Sequence, residues 1–220
     1  KLRIDVRGKA DAVLELASYD PIDVSRFIDL DPADLTGEVS GVVNADIPLQ
    51  KDIPVASLGW RVALDYQGLA IARPFEDQHV SAAVGSIVVD PAKAVIDAKA
   101  KLNEAAATIR MVEPLGGSAV AKERSIVLQL DDKARRAIAP GLDMLLSGVT
   151  DVELDDANKA ARTIKADLAR ATLKLPWAGW SKGPGVPGKV DFVMKTEGDR
   201  IELSNFRLAG DTFGATGSIR

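Results

Sequence analysis

The strongest constraint on this chain is alternation with a period of two. Leu58, Trp60, Val62, Leu64 and Tyr66 are separated by Gly59, Arg61, Ala63, Asp65 and Gln67, so an extended backbone acquires one apolar and one hydrated face. The pattern returns in Ala94, Ile96, Ala98, Ala100 and Leu102, in Ile126, Leu128 and Leu130, in Val190, Phe192 and Met194, and in Ile201 and Leu203. A helix needs a period near 3.6, so these runs are expected to be strands. Gly198 and Asp199 between the last two runs supply the chemistry of a tight hairpin, and Gly210 and Asp211 repeat it after Phe206 and Leu208. The expected fold class is therefore mainly β, an antiparallel sheet of meander type with one or two short helices.

Asp23 is placed to cap a helix over 24–28, and Asp131 to cap one over 132–138. The Ala-rich residues 104–109 mislead a propensity count and are not expected to be helix, and Val13 to Leu16 are taken as a strand-like run. Strand, helix and a glycine-led strand then occur twice, with GVVNADI starting at Gly41 and GVTDVEL at Gly148, 107 positions apart. That spacing predicts two similar halves, 1–115 and 116–220, meeting near Glu113, Pro114, Leu115, Gly116, Gly117 and Ser118.

Composition narrows the function classes. Hydrophobic residues make up 46% of the 220, enough for a core, and the absence of cysteine excludes disulfides, thiolate metal sites and cysteine nucleophiles. Twenty-eight basic residues against thirty-two acidic give a net charge of −4 spread along the chain, so nucleic acid is not an expected partner. No apolar run approaches the roughly 20 residues of a spanning helix. The chain opens at Lys1 already alternating through Leu2, Ile4 and Val6 and closes on Ser218, Ile219 and Arg220 straight after another strand-like run, the pattern of a segment internal to a longer protein.

Reaction chemistry is sparse. His79 has Asp77 and Ser81 two positions away on either side, but same-face neighbours on one strand do not converge as nucleophile, base and orienting acid, so a surface histidine is expected. GPGVPG over 183–188 has the glycine spacing of a dinucleotide fingerprint, yet Pro184 and Pro187 remove two amide donors and a strand follows, which predicts a semi-rigid loop. Asp29, Asp31 and Asp34, and Asp151, Glu153, Asp155 and Asp156, lack the calcium-loop pattern and are expected to be hydrated surface. Lys133, Arg135 and Arg136 are assigned to the exposed side of a short helix. Trp177 and Trp180 suit an aromatic clamp, an interfacial membrane anchor, or a pair that pins a loop on the sheet. No enzyme activity, metal or cofactor is expected.

In GVVNADIPLQKDI from Gly41 to Ile53, SLGWRVALDYQGLAI from Ser57 to Ile71, LKLPWAGWSKGPG from Leu173 to Gly185 and FRLAGDTFGATGSIR from Phe206 to Arg220, the chain resembles the AsmA-like proteins of the Gram-negative envelope, particularly the large YhdP and TamB type. That resemblance covers most of the chain and implies a strongly curved sheet with an apolar concave groove. It further implies a periplasmic segment of a protein anchored in the inner membrane, moving phospholipids toward the outer membrane, with no catalytic residues. On this basis Trp60, Val62, Leu64, Ile96, Phe192, Met194, Ile201 and Leu203 are expected to line a groove for acyl chains, with phospholipids as the partner. The alternative expectation is a structural module that docks envelope proteins by strand addition at its edges.

Overall fold

A computed structural model describes residues 1–19, 30–46, 59–74, 78–138, 140–155, 161–197 and 200–219. The expected helix over 24–28 with its cap Asp23, Asp29, Leu58, Asp77, Asp156, the Gly198–Asp199 turn and the Ile201 side chain lie outside that description. The protein is mainly β, with 65% of the described residues in strands and 13% in helices, and the strands pair antiparallel. Two compact units divide the chain, one of residues 1–104 and 109–122, the other of 105–108 and 123–220.

In the first unit β1 (Leu2–Lys9), β2 (Leu35–Asp46), β3 (Gly59–Ile71), β4 (Val80–Val89) and β5 (Lys93–Leu102) pair in chain order, each antiparallel to the next. The register aligns the apolar positions into cross-strand rows. Ile4, Val43, Val62, Val89 and Ala94 form one row, and Val6, Gly41, Leu64, Ile87 and Ile96 the next. Irregular pairing at Thr36/Glu38, Tyr66/Leu69 and Ser81/Val84 bends three neighbouring strand pairs.

One correction falls on Val13 to Leu16. They belong to α1 (Ala10–Ala17), not to a strand. Alanine, leucine and glutamate are strong helix formers, and Ala10, Val13, Leu14 and Ala17 recur at helical spacing. Ala10 is buried in a core cluster with Leu35, Val39, Tyr66, Ala83 and Ala100, and Val13 and Leu14 pack against that cluster, so α1 covers one end of the apolar face. The Ala-rich stretch is strand from Ala105 onward, as part of β6 (Ala105–Pro114), which contributes 105–108 to the second unit and 109–114 to the first.

The second unit contains β7 (Glu123–Leu130), α2 (Asp132–Ile138), β8 (Leu146–Gly148), β9 (Thr150–Asp155), β10 (Arg162–Asp167), β11 (Ala171–Leu175), β12 (Trp180–Lys182), β13 (Gly188–Glu197), β14 (Arg200–Gly210) and β15 (Gly214–Ile219). Its main sheet runs β7-β9-β10-β13-β14-β15, and β12-β11-β8 form a separate three-stranded sheet. The small sheet is laid on the main one, since Leu168, Ala171, Leu173, Leu175 and Leu208 share a core with Val190, Phe206 and Phe213. The expected antiparallel pair of Val190–Met194 with the run through Ile201 and Leu203 is present as β13 and β14, and the meander continues into β15 with Gly210 N donating to Phe213 O at 2.9 Å.

The expected helix at 132–138 is α2, with Asp131 Oδ1 accepting from Ala134 N at 2.8 Å as an N-cap. Its arginines require a second correction, because Arg135 is 3% exposed rather than on the outer side. Arg135 Nη2 donates to Asp132 Oδ1 at 2.7 Å and Nη1 to Gly148 O at 3.1 Å, while Gly148 N donates to the same Asp132 Oδ1 at 2.8 Å. The guanidinium thus ties α2 to the end of β8. The first copy of the expected repeat is not built as expected, since Val13 to Leu16 are helix; β1 is followed by α1 and pairs with β2, and β7 is followed by α2 and pairs with β9. Gly41 lies mid-strand opposite Val6, however, whereas Gly148 ends β8 opposite Ala171 in the small sheet, and Glu113 to Ser118 fall inside the first unit.

Candidate functional site

The eight residues expected to line a groove divide four and four between the units. Trp60, Val62 and Leu64 project from one face of β3 and Ile96 from the same face of β5, joined through Ile87 of β4. All four are half-buried, while Arg61 and Asp65 on the opposite face of β3 and Asp97 on that of β5 are exposed. Burial rises along the face. On β1, Leu2 and Ile4 are 42% and 46% exposed and Val6 and Gly8 half-buried, and Ala10 beyond them, the first residue of α1, is buried. On β3 the same gradient runs from half-buried Trp60 to buried Tyr66.

Two glycines in these rows keep the strands close. A Cβ on Gly41 would lie 2.0 Å from Ala63 O, and one on Gly85 2.0 Å from Asp97 O. Tyr66 stands opposite Gly85, and its hydroxyl donates across β4 to Asp97 O at 3.3 Å; burial, helped by Asp97, pushes the phenol pKa up. At the far end of the face a depression of about 560 Å³ is lined by Leu2, Ala45 and Trp60, with Arg3, Asp46 and Arg61 among its polar neighbours.

In the second unit Phe192 stands in a row with Ile164, Leu154 and Ile126, and Met194 opposite Leu203. Phe192 and Phe206 ring centroids are 6.4 Å apart. Here the face is covered in part by the small sheet, whose core takes in Phe206 and Val190. Sequence reasoning missed Val43, Ile87, Leu154 and Ile164 as members of these rows. Ile87 sits in SIVV, where apolar residues run together after the irregular pairing at Ser81/Val84, and Leu154 and Ile164 belong to strands of only six residues.

The polar groups singled out in the sequence are dispersed. His79 is exposed just before β4, its backbone N–H donating to Asn103 Oδ1 at 2.9 Å. Asp31 and Asp34 both pair with Arg73, and Asp31 also caps the turn at Pro32–Asp34. Asp151 takes Arg170 on both its oxygens at 2.7 Å. Among the described residues no three His, Asp or Glu side chains are grouped to hold a metal. GPGVPG is a loop leading into β13, with Gly185 N donating to Ala169 O and Leu168 N to Gly188 O.

Lys182, which carried no sequence signal, is 4% exposed and donates to Leu168 O, Ala171 O and Gly183 O at 2.6, 2.7 and 3.1 Å. Burial pulls its pKa below the ordinary lysine value, with Asp167 opposing. The two tryptophans part company. Trp180 stacks on Phe213 with centroids 4.7 Å apart, while Trp177 stands out on the turn Pro176–Ala178. Among the described residues no helix is long and apolar enough to cross a membrane. No family model, curated protein or solved structure matches the chain.

Proposed function

We propose that this chain is a segment of an AsmA-like β-groove protein of the Gram-negative envelope, lying in the periplasm and conveying phospholipid acyl chains between inner and outer membranes. The observation that carries the reading is the half-buried apolar ladder of the first unit, Val43, Val62 and Val89 beside Leu64, Ile87 and Ile96, which lies between a helix-covered end and an exposed end. Five strands spaced about 4.8 Å apart make that face about 19 Å wide. Sheltering an acyl chain there gains about 0.8 kcal/mol per buried methylene, while Arg61, Asp65 and Asp97 on the opposite face stay hydrated.

The test is the double variant Val62→Asp, Leu64→Asp, followed by thermal melting and by retention of a fluorescent phospholipid. A lipid-bearing face tolerates hydrated carboxylates, so the variant stays folded and loses the lipid. If these positions instead face a closed core, two buried unpaired carboxylates cost several kcal/mol each and the melt collapses. A folded variant that retains lipid like the parent sinks the assignment.

A second reading has its own support. Among the described residues β1 pairs on one side only, with β2, and presents Leu2 and Ile4 exposed, a combination suited to strand addition by an envelope protein. A peptide partner competed away by changes on β1, with lipid retention absent throughout, is the outcome that favours it.

A further inference from the structure

The three-stranded sheet of the second unit ends in a tip that the acyl-chain reading does not use. Lys174 N donates to Leu145 O at 2.8 Å, which sets Met144 across from Leu175, and the chain then leaves β11 through Pro176–Ala178 with Gly179 left-handed at φ 60°. Trp177 on that turn is 73% exposed and Met144 on the neighbouring one 84%. Leu142 and Ile138, on the segment leading to Met144, are exposed as well.

The backing of this tip is firm. Leu173 and Leu175 are buried beneath it, Gly179 N donates to Pro176 O at 3.2 Å, and Leu145 N donates to Leu142 O at 3.0 Å. The charges beside it are unequal. Asp143 is held by Arg136 Nε at 3.0 Å and Asp132 by Arg135, whereas exposed Lys174 has no carboxylate partner among the described residues. A chain of net charge −4 therefore carries a local positive excess where its most exposed apolar side chains stand.

We propose that this tip is an interfacial docking element that inserts Trp177 and Met144 into the headgroup region of an anionic phospholipid bilayer. The side chains rise singly from two turns rather than forming a flat or concave patch, a shape suited to insertion between the headgroups of a fluid interface. Indole is favoured at headgroup depth, and an uncompensated lysine beside it is drawn to anionic lipid.

The experiment is flotation of the whole chain with vesicles of one part phosphatidylglycerol to two parts phosphatidylcholine. The parent chain floats with these vesicles and less with phosphatidylcholine alone. Trp177→Ser combined with Met144→Ser binds about tenfold more weakly, with an unchanged melt because both side chains are exposed. Lys174→Glu weakens binding to the anionic vesicles only. Leu16→Ser, at an exposed apolar position of α1 outside the acyl-chain face, floats like the parent, and a loss as large as that of the Trp177/Met144 variant overturns the assignment to this tip. Failure of the parent to bind, equal binding by the Trp177/Met144 variant, or self-association that this variant abolishes in the absence of vesicle binding overturns the proposal.

Discussion

Single residues decide how closely the strands approach. At Gly85 the nearest atoms to an added Cβ are backbone of the next strand, and the ring of Tyr66 must cross at that point to reach Asp97 O. Gly68 has positive φ of 62° but nothing within 4 Å of an added Cβ. Gly85→Ala is thus expected to cost about 3 kcal/mol or more, through strand displacement, and Gly68→Ala only about 1 kcal/mol, through left-handed strain. Urea unfolding of the two variants checks the ranking, and equal losses refute the close-approach account. At this scale the alternation made Val62, Leu64 and Ile96 legible as one face. The burial of Arg135 was not legible, since its partner Gly148 O lies on another element and a basic residue on a short helix looks like any solvated charge.

The two helices show what element-level signals can and cannot carry. Asp131 announces α2 because an N-cap is a local device, and the helix begins at the next residue. For α1 there is no such device, as Lys9 stands at the N-cap without a side-chain hydrogen bond, and only the spacing of Ala10, Val13, Leu14 and Ala17 betrays the helix. Tertiary burial against Val39 and Tyr66 fixes it instead. The hold of α2 on β8 runs through Asp132, whose pKa is lowered first by the hydrogen bond from Arg135 and then by that from Gly148 N. A carboxyl whose folded pKa lies below its unfolded one contributes stability that is present above the unfolded value and lost as pH falls through the folded one. Melting temperature should therefore drop below about pH 4, and Asp132→Asn should remove part of that acid slope while lowering the plateau at neutral pH. An unchanged slope in the variant contradicts the tie.

Across the whole chain the two units solve one problem in different ways. A sheet with one apolar face needs cover, and the first unit lays α1 over one end, whereas the second lays β8, β11 and β12 over part of its main sheet. The meander was legible from turn glycines and alternation, but the departure of LKLPWAGWSK into a separate sheet was not, because its strands of three to five residues alternate just as main-sheet strands do. Lys182 closes that arrangement. Its ammonium group holds carbonyls before β11, at its first residue and after β12, in a chain that has no cysteine to form a covalent crosslink. All three of its hydrogens are engaged, so acylation of this amine has to wait until the small sheet lifts away. Under a lysine-specific reagent Lys133 and Lys174 should be modified at once and Lys182 at least about a hundredfold more slowly, in step with local opening. Peptide mapping against time then makes one buried amine the clock of how often this unit breathes, and simultaneous labelling of all three would show that no such latch exists.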